Sequence, residues 1–320
     1  MLWYQVLQIV LAALAVLLVL YIVGAHIVAY GVLKKIIKPK KRSLETSRGQ
    51  QIKETGLDFD QLEKEWDRHP FTVRTADGLT LNGIYILNST ESKPAKVAII
   101  VHGHTANYMH SYKYATIFVK LGYNVVMYNS RYFGDSEGEF DTLGQRESED
   151  LSLVIDFARS QFGQDCYIAL HGESMGAATV LLETAVRSDI AMVVADCPFS
   201  NSEKLYYDLM KKKTPYPVSF LCRLTSLYGR KYGYDLYKVN PIDAVKKTDI
   251  PILLIHGQAD DFIPPYHSRS MAAVLRNPES KLVEFPAARH ACSFYTDSAR
   301  YTEVVSQFVK RIEQLSYKGE

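Results

Sequence analysis

Residues 1–33 contain no Lys, Arg, Asp or Glu. Other absences bound the chemistry. The four cysteines, Cys166, Cys197, Cys222 and Cys292, are widely spaced and form no C-x-x-C pair. That argues against a disulfide framework, and no His/Cys cluster has the spacing of a zinc site, so neither metal nor cofactor is expected. No internal repeat or low-complexity tract breaks the chain. An excess of positive charge is also missing: 37 basic against 35 acidic residues leave a net of +2. Seven of the bases (Lys34, Lys35, Lys38, Lys40, Lys41, Arg42, Arg48) sit between Leu33 and Gly49, with Glu45 as the only acid among them. Residues 49–320 are left with 30 bases and 34 acids. A folded part that is mildly acidic excludes nucleic-acid binding, which needs a basic surface.

What is present begins with a long apolar run. From Leu7 to Ala25 the only polar residue is Gln8, and apolar character continues past His26 to Leu33. About 20 helical residues cross a bilayer core, so residues 1–33 are expected to be a single transmembrane anchor. Trp3, Tyr4 and Tyr30 suit the interfacial belts. A cleaved signal peptide is the alternative, but no basic residue precedes the run and its length exceeds a signal h-region. Residues 34–69 read as a basic juxtamembrane connector. Within it Leu57, Phe59, Leu62 and Trp66 can form a short amphipathic helix that docks on the domain; a solvated linker is the other reading.

The remainder, 70–320, alternates strands and helices. Residues 71–75 and 79–87 flank Asp77-Gly78, a hairpin signal. Apolar or β-like runs follow at 97–101, 124–128, 167–170, 191–195, 251–255 and 282–285, typical of parallel strands covered on both faces. Helical stretches fall at 112–121, 146–161, 176–187, 267–276 and 298–316. The alternation predicts an α/β fold with a mostly parallel, doubly wound sheet. Residues 201–248 are too long for an ordinary crossover. They carry seven tyrosines, Lys211-Lys212-Lys213 and Pro215-Tyr216-Pro217, and are expected to be an inserted helical lid.

Chemistry concentrates at predicted strand ends. Gly172-Glu173-Ser174-Met175-Gly176 fits G-x-S-x-G between a strand-like and a helix-like run. A serine on a sharp strand-to-helix turn needs small neighbours, and the flanking glycines supply that space. A serine hydroxyl needs a base. His290, after the last strand candidate, is the expected base, and His267 is the rival. The acid is expected in the loop after 251–255, where Asp260 and Asp261 are adjacent. His102-Gly103-His104-Thr105 follows the first buried strand. Its His104 N–H, with the Met175 N–H, forms the expected oxyanion hole.

Together these residues resemble the α/β-hydrolases of the serine aminopeptidase and monoacylglycerol-lipase-like group, and among them the bacterial branch with one N-terminal membrane helix. The matching blocks are His102–Thr105, Asn129–Gly138, Gly172–Gly176, His256–Asp260 with Pro264, and Arg289-His290-Ala291, spread over about 70–315. The resemblance implies that the triad acid falls on Asp260, with Asp261 the neighbouring alternative. It also implies that Arg131 orders its loop. Asn129 stands where the family usually has Asp, a departure in a structural loop.

The expected activity is hydrolysis of a small-molecule or lipid-like carboxylic ester through an acyl-enzyme on Ser174, with Asp260 and His290 completing the triad. A peptidase or amidase would need an acid to capture a peptide terminus, for which Glu173, Glu137 and Glu139 are the candidates. A thioesterase and a non-enzymatic membrane-tethered scaffold are the further alternatives. The seven bases all follow the apolar run, and Lys and Arg are retained on the cytoplasmic side. The catalytic domain is therefore expected on the inner face of a bacterial plasma membrane.

Overall fold

The computed structural model describes residues 2–89, 94–211 and 213–316. Lys212 of the lid's lysine run and the last four residues, 317–320, lie outside this description. Eight strands form one sheet in the order β1-β2-β4-β3-β5-β6-β7-β8. β1 (Asp67–Arg74) and β2 (Thr80–Leu87) make the antiparallel hairpin, and β2 joins β4 (Asn124–Tyr128) antiparallel. All later pairings, through β3 (Lys96–Val101), β5 (Tyr167–Glu173), β6 (Met192–Asp196), β7 (Ile252–Gly257) and β8 (Lys281–Phe285), are parallel.

β1 starts four residues before the expected strand and runs through Pro70. Proline cannot donate to a sheet ladder, so the sequence pattern stops there; at the sheet edge, where β1 lies, it is tolerated. β3, β5, β6 and β7 are almost wholly buried, as their unbroken apolar runs require. One sheet face is covered by α4 (Tyr112–Lys120) and α12 (Ser298–Ser316). The other is covered by α5 (Gln145–Phe162), α6 (Met175–Glu183) and α10 (Tyr266–Ala272).

Three N-terminal helices precede the sheet. α1 runs unbroken from Leu2 to Ile37, four residues past the expected end of the anchor. It is long and apolar enough to cross a membrane, and it has two parts. Every residue from Trp3 to Val23 is exposed. From there Ala25, Ala29, Leu33 and Ile37 are fully buried, one per helical turn, as expected for a stripe pressed on a neighbour. That neighbour is the 201–248 insertion, which folds as α7 (Ser202–Met210), α8 (Val218–Gly229) and α9 (Pro241–Val245).

The connector is folded rather than extended. α2 (Leu44–Thr55) and α3 (Phe59–Glu65) start at Ser43 and Asp58, whose side chains accept from Thr46 N–H and Gln61 N–H. Phe59 is buried and stacks on Tyr112 at 4.6 Å, while Leu57, Leu62 and Trp66 pack into the same core. The amphipathic reading of this segment, not the solvated one, describes the structure. A short α11 (Ser293–Thr296) precedes α12.

Candidate active site

Ser174 stands at the C-terminal end of β5, where the chain turns into α6, with φ 57° and ψ −114°. Left-handed backbone is costly for a non-glycine residue and persists only when its surroundings hold it. Here Ser174 N–H donates to the Asp196 carbonyl at 2.8 Å. The flanking glycines are obligatory for contact reasons. A Cβ on Gly172 would collide with the Gly176 carbonyl, and one on Gly176 with the Val101 carbonyl.

Ser174 Oγ lies 2.9 Å from His290 Nε2, and His290 Nδ1 lies 2.7 Å from Asp260 Oδ2. The structure thus brings together three residues separated by up to 116 positions. The Asp260 carboxylate is fully buried. Burial alone would raise its pKa, but hydrogen bonds from His256, His290 and the Ile263 N–H outweigh that and hold it well below the usual carboxylate range. Its second oxygen accepts from Phe262 N–H and Ile263 N–H at 3.0 and 2.8 Å. Asp261 points elsewhere and pairs with Arg289 on the surface at 3.4 Å. His267, the rival base, is buried against Ser200, from which it accepts the N–H at 3.0 Å, and against Asp208. Burial lowers its pKa to about 4.

His104 and Met175, whose N–H groups are the expected oxyanion donors, line one cavity with Ser174. Met175 opens α6, so its N–H is among the four that a helix leaves without an internal partner. His104 lies in the loop after β3, followed by Thr105 at φ 65°. Its imidazole Nε2 is 2.8 Å from the Ile36 carbonyl of α1 and 3.0 Å from Asp141 Oδ2. Burial pushes the His104 pKa down, but the Asp141 carboxylate and the Ile36 carbonyl outweigh it, leaving the pKa raised. Arg131 pairs with Asp150 at 2.6 Å and Asp77 at 3.0 Å, and Asn129 accepts from Tyr108 N–H at 2.9 Å. Both hold loops behind the site.

Sequence reasoning missed what lies beneath the elbow. Lys113, 1% exposed, sits 2.8 Å from Glu173. Burial would lower the lysine's pKa, but the Glu173 charge prevails and keeps it protonated. Tyr114 also donates to Glu173. Asp196 is pushed up to about 7 by burial and the neighbouring Glu173 charge. Only the tertiary fold pairs these groups; in sequence Lys113 is one more polar residue on an amphipathic helix. Of the acids considered for capturing a peptide terminus, Glu173 is consumed here and Glu137 accepts from Thr80 N–H at 2.7 Å. Glu139 lies exposed beside Lys38.

Two cavities meet at Ser174, His104 and Phe262. One, of about 330 Å³, is lined mainly by apolar side chains: Leu143, Met175 and Phe199 from the domain, Leu205 and Tyr206 from the lid, and Val32 and Ile36 from α1. The other opens toward solvent past Arg289, Asp261 and His290. Cys197, Asp260 and His290 lie close enough to hold an ion. However, both His290 nitrogens are already engaged, and burial raises the Cys197 thiol well above its usual pKa. All four cysteines are free.

A model of the prolyl oligopeptidase family matches residues 109–315. The Bacillus subtilis protein YqkD is 30% identical over 292 residues, covering 90% of this chain and 91% of its own. A Saccharomyces cerevisiae protein named as a membrane protein, YNL320W, is 23% identical over 59% of this chain and 62% of its own. Among solved structures, the Pyrococcus furiosus esterase Pf2001 superposes with a TM-score of 0.64 at 22% identity, over 80% of this chain and 96% of its own. That likeness is one of fold.

Proposed function

Taking as premise that this chain belongs to the prolyl oligopeptidase family of α/β-hydrolases, we propose that it is a membrane-anchored serine esterase acting on acyl esters. The observation that carries this reading is the unbroken hydrogen-bond chain from Asp260 through His290 to Ser174 at the mouth of an apolar cavity. His290 Nε2 takes the Ser174 proton as Oγ attacks the ester carbonyl, and Asp260 holds the imidazole and stabilises its charged form. The Met175 and His104 N–H groups receive the oxyanion. Collapse breaks the bond to the leaving alcohol, which takes the proton back from His290. Water then attacks the acyl-enzyme by the same route and releases the carboxylic acid. The apolar cavity of about 330 Å³ suits the acyl group, at the low end of the roughly 300–1,000 Å³ of small-molecule sites. The open side by Arg289 suits a polar alcohol.

A peptidase is the second reading, favoured by the family match. Against it, Glu173 and Glu137 are committed to internal partners. Hydrolysis of p-nitrophenyl esters of graded chain length, run beside aminoacyl anilides, separates the two. Turnover of medium-chain esters with none of the anilides is expected, and the reverse preference rejects the esterase. A fluorophosphonate probe is expected to label Ser174, and an unlabelled folded protein would be a scaffold. The basic residues that follow the apolar run, from Lys34 in the last turn of α1 to Arg48, support a cytoplasmic domain. Protease added to intact cells should leave it uncut.

A further inference from the structure

α1 has one continuous sequence but two environments. The exposed stretch from Trp3 to Val23 is roughly 31 Å long at 1.5 Å per residue, against a hydrocarbon core of about 30 Å. The remaining turns, to Ile37, are surplus to a simple anchor. They are also the turns with the buried Ala25, Ala29, Leu33 and Ile37 stripe. An anchor serving only as a tether would end in a solvated linker, whereas this one ends inside the active site.

Three contacts place it there. Val32, Lys35 and Ile36 line the apolar cavity that also reaches Ser174. The Ile36 carbonyl faces His104 Nε2 at 2.8 Å, and the Ile37 carbonyl accepts the Asp141 N–H at 2.9 Å. Asp141 in turn pairs with His104 at 3.0 Å. The end of α1 therefore supports the loop that carries an oxyanion donor. Leu209, Met210 and Lys213 of the lid also line the cavity. Three residues beyond Lys213, the Tyr216 ring rests on Tyr21 at 4.8 Å, level with the end of the exposed apolar stretch. The cavity is thus walled on one side by the last turns of α1 and on another by the lid, whose tip rests on the exposed apolar part of the same helix.

We infer that α1 is a wall of the acyl pocket, and that the substrate is a membrane-resident acyl ester whose chain passes from the leaflet along α1 to Ser174. This rests on the esterase reading and narrows its substrate class. Two physical facts favour the leaflet over water as the source. An acyl chain leaving lipid for the cavity stays among apolar side chains, and so avoids exposing its methylenes to water. Lys213 of the lid, exposed three residues before Tyr216, is placed to attract anionic headgroups at that boundary.

The test uses the full chain in phosphatidylcholine vesicles. Ile36→Trp fills the cavity from the α1 side, and Ile36→Ala opens it. Ile27→Trp places the same ring on the exposed face of the same helix. The ratio of kcat/KM for decanoyl over acetyl p-nitrophenyl ester is expected to fall at least tenfold in Ile36→Trp. In Ile36→Ala the optimum should move to longer chains, and in Ile27→Trp the ratio should stay within twofold of wild type. Ratios unmoved in both Ile36 variants would overturn the wall. If Ile36→Trp fails to fold, Ile36→Ala decides alone. For the route, 4-methylumbelliferyl oleate is supplied either in the enzyme's own vesicles or in separate protein-free vesicles. Hydrolysis at least tenfold faster in the shared vesicles is expected, and equal rates overturn entry from the leaflet. Wild-type turnover and fluorophosphonate labelling of Ser174 are measured first. Their absence rejects the esterase, whereas their presence with unmoved ratios rejects only the inference.

Discussion

The strand-end edge that carries Ser174, His290 and Asp260 and the cleft between α1 and the lid are built on opposite principles. The edge is local and strained. Ser174 and Thr105, with Cys197 at φ 47° and Ala291 at φ 55°, all have left-handed backbone within a few residues of strand ends or of the triad. Each is held by a sheet whose central strands are buried. On the α1 and lid sides of the cleft no non-glycine residue among those described has left-handed backbone, although Leu143 on the domain side does, at φ 52°. The cleft is made of ordinary helices whose apolar stripes meet across some 170–200 residues of sequence, as where His26 Nδ1 meets the Tyr228 hydroxyl at 2.6 Å. Chemistry requires atoms fixed to fractions of an ångström, which backbone strain and short hydrogen bonds provide. Recognition of a flexible chain requires only shape and apolarity, which helix packing provides.

The contrast can be broken most severely at Ser174. Ser174→Ala is expected to lower ester hydrolysis on the order of 10⁴-fold or more with an unchanged thermal midpoint, since the cleft and core are untouched. Comparable residual activity would place the nucleophile elsewhere. Next in size is the pair of neighbouring acids. Asp260→Asn removes the carboxylate that fixes His290 and is expected to cost on the order of 10⁴-fold in kcat. Asp261→Asn, which loses one exposed ion pair, should cost less than about threefold, because such pairs are worth little. Equal losses would mean that the loop, not the carboxylate, sets the imidazole.

Lys113→Met asks whether the edge owes its rigidity to the buried network beneath it. Removing the lysine leaves Glu173 buried with a hydroxyl but no cation, and a loss of about 3–5 kcal/mol in unfolding free energy is expected. A denaturant midpoint equal to wild type would show the pair to be dispensable. The smallest effect is expected at the joint between the two regions. His104 has a raised pKa in the folded protein, so its contribution is complete below the unfolded value of about 6.5 and is lost as pH rises through the folded one. His104→Gln keeps the backbone donor but not the charge. Its thermal midpoint should lie about 2–4 °C below wild type at acid pH, for a loss near 1 kcal/mol, and the gap should close at alkaline pH. A gap independent of pH would assign the contact to shape alone.

Much of the edge is legible in the sequence. The eight strands, the G-x-S-x-G elbow and the chain order of serine, acid and histidine all leave local signals, because strain demands glycine and buried strands demand apolar runs. The choice between Asp260 and Asp261 rests in the sequence on the spacing from His256 to Asp260 and Pro264 that carries the family resemblance, not on a local physical signal. Adjacent residues on a loop differ only in direction, and direction is set by the Phe262 and Ile263 N–H groups and by His256. The lysine beneath the elbow and the pocket role of α1 leave no signal. A helix that is apolar all round shows no stripe to mark the turns that pack on the lid. Sequence by itself determined the hydrolase fold, the membrane-length helix and the residues capable of the chemistry, since each is a matter of pattern along the chain. Only the tertiary structure decided what turns Asp260 rather than Asp261 toward His290 and what encloses the apolar cavity. Those depend on contacts between segments far apart in the chain, where no local rule applies.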